Sequence, residues 1–376
     1  MKQPIRIVII EDSAVVSMLL KAILNNEADM EVVGVAADGR EGVRLVSELR
    51  PDLITMDIRM PVMDGFEATR EIMSSHPTPI VVISSSVDDE ELKITFRAIE
   101  VGALSVLEKP HGPGNPQFES NRREIVEMVR AMADVKVFRH QRYRGERVGA
   151  GVGSSPAPTS SCSCSSMPSS RSPAQPFELV AVGASTGGPQ ALHALLRNLP
   201  ADFPLPICVV QHISPGFVGG LIQWLNTDSA LRVKMAEQGE LLRAGQVYFA
   251  QDGKHLQVNR AMDGGLQAGY VLEPESLHRP AVDQLFNSVA RECGAMAIGV
   301  ILTGMGDDGA KGMKRMQERL AMTIAQDEAS CVVAGMPRSA VKCGAVKEIV
   351  EMDRVGPRLI ELTLPMRLIK KSMVFS

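Results

Sequence analysis

A chain of 376 residues, 45% hydrophobic and 22% charged, has room for two domains with separate cores, and no apolar run in it reaches the length of a bilayer span. A net charge of -4 argues against a general nucleic-acid footprint. The opening Met1-Lys2-Gln3-Pro4-Ile5-Arg6 runs into a short strand without a signal peptide's apolar stretch or cleavage site, so a cytoplasmic protein without disulfides is expected.

Apolar runs at Ile5–Ile10, Met30–Ala36, Leu53–Met56, Ile80–Ile83 and Ser105–Leu107 read as strands. Helix-period segments fill the intervals, at Ala14–Asn26, Gly39–Leu49, Phe66–Ser74, Asp89–Val101 and Asn121–Phe138. This alternation predicts a doubly wound parallel sheet, with chemistry gathered at the carboxyl ends of its strands. Those ends carry Glu11 and Asp12, then Asp57, Ser84 and Lys109. Clustered carboxylates without histidine or cysteine suit a hard divalent cation, Mg²⁺ above all, to balance their charge and that of an incoming phosphoryl group. Lys109 adds a mobile positive charge, and Asp57 is the best phosphoryl acceptor.

Residues 1–125 resemble the receiver domain of bacterial two-component response regulators, with its flavodoxin-like (βα)5 fold. Met56-Asp57-Ile58-Arg59-Met60-Pro61-Val62-Met63-Asp64-Gly65 and the pair Lys109-Pro110 carry the resemblance. It implies phosphorylation at Asp57, a Mg²⁺ set of Glu11, Asp12, Asp57 and Arg59, and a switch made by Ser84 and Lys109. Glu11 replaces one of two usual aspartates, and Val106 stands where many receivers carry an aromatic switch residue.

Residues 126–176 read as a helix end and a flexible tether, because Gly149–Pro176 is mostly Gly, Ser, Pro and Ala. A basic cluster of Lys136, Arg139, Arg142, Arg144 and Arg147 reads as a solvated helix end able to touch an acidic partner. Cys162 and Cys164 lack a second pair to complete a metal site and read as linker residues, whereas Cys208, Cys293, Cys331 and Cys343 read as packing residues.

A second domain, residues 177–370, begins with a strand at Phe177–Val182 that runs into Gly183-Ala184-Ser185-Thr186-Gly187-Gly188 and a helix from Gln190 to Leu199. Gly183, Ser185 and Gly187 fit the G-x-S-x-G spacing of a nucleophile elbow, although small residues after a strand also form phosphate-binding turns. Ile207–Gln211 ends at His212, Phe217–Asn226 is helical, and short strands follow at Leu231–Met235 and Val247–Ala250. His255–Asn259 and Ala268–Leu272, around Asp263-Gly264-Gly265, predict an antiparallel hairpin near a sheet edge. A helix at Ala281–Cys293, a strand at Met296–Leu302, a glycine-rich loop at Thr303–Gly309 and a last strand at Thr323–Ala325 complete a three-layer α/β/α domain with a mainly parallel sheet.

Strand ends here select Ser185, His212 and the acidic pair Asp307 and Asp308. A serine hydroxyl needs a base near pH 7, which a neutral histidine supplies, and an aspartate can hold the other imidazole nitrogen. The six other histidines, His278 among them, read as surface or packing residues. The order serine, histidine, aspartate departs from that of α/β-hydrolases.

With these motifs assembled, residues 177 to about 365 resemble the catalytic domain of chemotaxis protein-glutamate methylesterases. The carriers are the Ser185 turn, Gln211-His212 with Pro215-Gly216-Phe217, His278-Arg279-Pro280-Ala281-Val282-Asp283, and Leu302-Thr303-Gly304-Met305-Gly306-Asp307-Asp308-Gly309. The resemblance assigns the triad acid to Asp308 and an oxyanion or substrate role to Thr186 and Met305. It implies demethylation of glutamate γ-methyl esters, and deamidation of glutamines, on methyl-accepting chemotaxis receptors. It also implies a chemotaxis histidine kinase as phosphodonor and no cofactor in the esterase domain, and the two sites joined by a tether lead to the expectation of a receiver that docks over the esterase cleft until it is phosphorylated. The alternative is a response regulator whose output domain binds a ligand or partner without hydrolysis.

Overall fold

A computed structural model describes residues 3–85, 89–135, 137, 177–273 and 278–374. The basic cluster (save for Val137 inside it), the tether and its two cysteines therefore lie outside the described residues.

Isoleucine and valine runs form β1 (Ile5–Ile10), β2 (Met30–Ala36), β3 (Leu53–Met56), β4 (Ile80–Ser84) and β5 (Ser105–Glu108). They pair in parallel in the order β2-β1-β3-β4-β5. The intervening helices are α1 (Ala14–Asn25), α2 (Gly39–Leu49), α3 (Gly65–Ser75), α4 (Asp89–Glu100) and α5 (Phe118–Met132). Ser13, Asp38 and Asp64 cap the first three through their side-chain oxygens, each worth about 1 kcal/mol. The helix expected at Asn121–Phe138 begins earlier and ends earlier, and Gln117 before it offers no capping side chain. Alternation along β1 sends Ile7 and Ile9 to the α1 and α5 side, and Val8 and Ile10 to the other face.

The second sheet has β6 (Leu179–Ala184), β7 (Ile207–Gln211), β8 (Arg232–Met235), β9 (Gln246–Phe249), β12 (Ala297–Ile301), β13 (Met322–Gln326) and β14 (Glu348–Val350). Its order is β14-β13-β12-β6-β7-β9-β8, parallel throughout. Thr323–Ala325 therefore does not close the set, because β14 pairs outside it. The hairpin, β10 (His255–Arg260) and β11 (Leu266–Val271), is a separate two-stranded sheet whose Leu256 and Val258 pack into the same buried cluster as α8 (Val282–Glu292). On β6, Val180 and Val182 face α6 (Gly188–Leu196), α7 (Val218–Asp228) and α11 (Met352–Val374). Leu179 and Ala181 face α8, α9 (Ala310–Glu318) and α10 (Gly335–Lys342). Cys208 and Cys293 are buried as expected, but Cys343 is exposed at the end of α10.

The two domains share one buried apolar cluster. Leu92 and Phe96 of α4 meet Leu221 and Trp224 of α7 in it, and the rings of Phe96 and Trp224 stack. Val332 and Val333, in the loop before α10, pack on the receiver core. Polar contacts flank these: Gln190 Nε2 donates to the Ala103 carbonyl, and Ser214 Oγ donates to Glu124 Oε1 at 3.3 Å. Among the described residues no helix is long and apolar enough to cross a membrane.

Candidate active site

Three adjacent central strands, β7, β6 and β12, deliver the second domain's chemistry side by side. The register pairs Gln211 with Ala184 and Ile301 with Gly183, so His212 and Ser185 each lie one residue beyond a paired strand end. The His212 amide donates to the Ala184 carbonyl at 2.9 Å, and the Ser185 amide to the Thr303 carbonyl at 3.0 Å. Gly187 takes a left-handed φ of +76° as the chain enters α6, a conformation that side chains disfavour. A Cβ on Gly304 would come within 2.7 Å of the Ser185 Cβ, so a glycine there lets the Gly304-Met305 peptide lie beside the serine.

His212 Nε2 sits 2.9 Å from Asp308 Oδ2. The same oxygen accepts the Val282 amide at 2.7 Å, and Asp308 Oδ1 accepts the Asp283 amide at 2.9 Å, so the start of α8 clamps the carboxylate. Burial alone would raise Asp308, but the His212 hydrogen bond and charge together with these amides hold it below the usual carboxylate range. An ionised Asp308 makes Nε2 the protonated nitrogen of a neutral His212. Nδ1 is then the basic one, and it is buried without a hydrogen-bond partner among the described residues.

Three neighbours escaped the search for strand-end chemistry. Gln211 Nε2 donates to the carbonyls of both Ser185 and His212 at 2.7 Å, tying the two residues to one amide. Thr303 Oγ1 donates to the Thr186 carbonyl at 2.9 Å. His278, read from sequence as a packing or surface residue, stacks on His212 with centroids 4.1 Å apart at 20°. Burial, and then the proximity of His212, lower its pKa to about 4. Both Gln211 and His278 lie in motif stretches already singled out, which was the available signal.

In the first domain, oxygens of Glu11, Asp12 and Asp57 lie within 4.8 Å of one another. Lys109 Nζ reaches Glu11 Oε1 and Asp57 Oδ2, each at 3.0 Å. Burial, and then the Asp57 charge, push Glu11 up to about 7 against the pull of Lys109, and burial raises Asp57 as well. Glu11 Oε2 is buried without a hydrogen bond among the described residues, and Asp57 Oδ2 faces the Lys109 ammonium. Unsatisfied hard oxygens under mutual repulsion fit a divalent cation. The exposed Arg59 can serve such an ion only through its backbone carbonyl, since a guanidinium has no lone pair to offer. Ser84 is buried at the end of β4, beside Lys109, whose amide donates to the Ser84 carbonyl at 3.0 Å. Val106 is buried in the core.

Residues 180–359 match the CheB methylesterase family, and residues 7–115 match the response regulator receiver domain. A protein-glutamate methylesterase/protein-glutamine glutaminase of Geobacter metallireducens is 44% identical over 360 residues, covering 96% of this chain and 99% of that protein. The chain belongs to this family. Another methylesterase/glutaminase, from Nitrosospira multiformis, is 42% identical and covers 95% of this chain and 97% of its own. Among solved structures, the Thermotoga maritima CheB methylesterase catalytic domain is 39% identical, with a TM-score of 0.48 over 50% of this chain and 98% of that one.

Proposed function

We propose that the protein is a serine hydrolase of chemotaxis, governed by phosphorylation, that demethylates glutamate γ-methyl esters on methyl-accepting receptors and deamidates receptor glutamines. The reading rests on the bonded pair His212–Asp308 placed one strand from the Ser185 turn. Ser185 Oγ attacks the ester carbonyl carbon while His212 Nδ1 takes its proton. Amides of Thr186 and Met305 receive the oxyanion, and losing one such donor raises a barrier by about 3 to 4 kcal/mol. Collapse returns the proton to the leaving methoxy oxygen, releasing methanol, or to the leaving amide nitrogen of a glutamine, releasing ammonia. Water, deprotonated by His212, then cleaves the acyl-enzyme to glutamate. His212 Nδ1, buried and without a hydrogen-bond partner among the described residues, is the nitrogen left to take the proton.

Asp57 is the phosphoryl acceptor, with a histidine kinase as donor, and Ser84 and Lys109 answer the new charge. Glu11, Asp12, Asp57 and the Arg59 carbonyl would hold Mg²⁺, which supplies charge neutralisation for the incoming phosphoryl group. The receiver rests on Gln190, Ser214, Val332 and Val333, all on elements that flank the Ser185 turn or His212. Docked there it restrains the site, and phosphorylation activates by favouring a form in which it has moved away.

The deciding experiment is fluorophosphonate labelling together with methanol release from methylated receptor membranes. Both are expected to vanish in Ser185→Ala, with Asp57 phosphorylation intact. Retained turnover overturns the triad, and absence of both signals in the wild type leaves the non-catalytic output domain.

A further inference from the structure

We propose that His278 is a positioning residue for the His212 base: the segment 278–283 that clamps Asp308 also lays an imidazole on the face of His212. This rests on the reading of Ser185, His212 and Asp308 as a hydrolase triad.

One hydrogen bond, Nε2 to Asp308 at 2.9 Å, fixes the imidazole at a corner and leaves it free to tilt about that line. The Nδ1 edge adds no second restraint among the described residues. A ring stacked at 4.1 Å and 20° blocks the tilt. Its own position is anchored, because the segment is tied at several points. Ala281 donates its amide to the buried His255 Nδ1 at 3.1 Å, the Arg279 carbonyl accepts from Gly253 at 3.3 Å, and Asp283 Oδ1 accepts the Gly312 amide of α9 at 2.6 Å. A single piece of chain thus registers the acid through its amides and the base through a ring face.

The alternative use of paired histidines, metal ligation, conflicts with the geometry. Ring lone pairs lie in the ring planes, and two nearly parallel planes do not converge on one ion. Charge agrees with the positioning role. Burial keeps His278 neutral down to about pH 4, so it presents an aromatic face, and no repelling cation, to the imidazolium formed in turnover.

The test compares His278→Ala, His278→Phe and His278→Gln in the full chain, phosphorylated, by methanol release and by the rate of fluorophosphonate labelling. A tilted base is expected to lower kcat and the labelling rate of the alanine variant about 10- to 100-fold, with KM within about twofold. The phenylalanine variant, which keeps a flat ring, is expected to recover most of that loss, and the glutamine variant little of it. An alanine variant within about twofold of wild type overturns the proposal, as does a folded phenylalanine variant no better than glutamine. If the alanine variant does not fold, the contrast between phenylalanine and glutamine decides alone. A wild type that neither labels nor releases methanol overturns the hydrolase reading instead, which keeps the two failures apart.

Discussion

Phe96 of the receiver and Trp224 of the catalytic domain stack across the boundary between them, with ring centroids 5.9 Å apart and planes 19° from parallel. Trp224 is the chain's one tryptophan and is 6% exposed. His193, from the same domain, also stacks on it at 4.6 Å, so the tryptophan keeps that neighbour and loses Phe96 if the receiver leaves. Phosphorylating Asp57 is therefore expected to move tryptophan emission to longer wavelength. Emission that stays put in a protein shown to be phosphorylated contradicts domain separation.

Gly220 on α7 offers a way to force that opening without chemistry. A Cβ there would lie 2.7 Å from the Leu92 Cβ and 3.0 Å from Phe96 Cε2, both on the receiver. In a helix, Gly→Ala is otherwise favourable by about 1 kcal/mol, so the catalytic domain itself does not suffer. Overpacking at the interface costs about 1 to 3 kcal/mol, and 1.4 kcal/mol is about a tenfold change in an equilibrium. Gly220→Ala is expected to raise unphosphorylated methanol release about tenfold. Unchanged basal activity would show that this contact does not restrain the enzyme.

Asp308→Asn tests the clamp at α8. Asp308 uses Oδ2 for both Val282 N and His212 Nε2, and Oδ1 for Asp283 N. An amide must turn its NH2 group towards one of these sets. If it meets His212, the imidazole must carry its proton on Nδ1, which removes the base. If it meets Asp283, two donors oppose each other at a half-buried site. The expected loss in kcat is about 10⁴-fold, with fluorophosphonate labelling slowed in parallel. A loss under tenfold means that Asp308 does not hold the base in its working tautomer.

Strand ends were legible because each central strand is a bounded apolar run, and chemistry collects where the run stops. That logic selects Ser185, His212, Asp57 and Lys109. It also left Asp307 and Asp308 unresolved, since only the folded chain shows which of them meets the α8 amides. No apolar run announces β14, where Glu348 and Val350 are half-buried and Ile349 is exposed. No local pattern marks His278, because a loop histidine carries no periodic signal and its partner lies far away in sequence. The place of β9 between β7 and β8 is likewise a long-range pairing that no local pattern encodes.

Mg²⁺ is expected to stabilise the receiver through Asp57. Oxygens of three carboxylates lie within 4.8 Å of one another, and the buried Glu11 Oε2 has no hydrogen bond among the described residues. A ligand that binds only the native state adds about 2.7 kcal/mol at a hundredfold excess over its Kd. Thermal melts of the wild type should therefore shift upward with Mg²⁺. Asp57→Asn removes one charge, so it should melt higher than the wild type in metal-free buffer and respond less to the ion. Equal Mg²⁺ responses in the two proteins would move the ion's site elsewhere.

His278 sets a pH dependence of stability whose sign follows from its depressed pKa. In the native protein burial, and then His212, hold it neutral down to about 4 from an ordinary value of 6.5, with the Asp308 and Asp307 charges opposing them. The unfolded chain takes up the proton first, so the native state loses stability as pH falls from 6.5 towards about 4, and the penalty is constant below that. One proton limits the slope to about 1.4 kcal/mol per pH unit, and partial exposure of the ring reduces it further. Other groups titrate in the same window, so the readout is the difference between wild type and His278→Phe. The wild type's melting temperature is expected to fall more steeply than the variant's between these values, with the two curves running parallel above pH 7. Parallel curves throughout would mean that the His278 ring is protonated, or well solvated, in the folded protein.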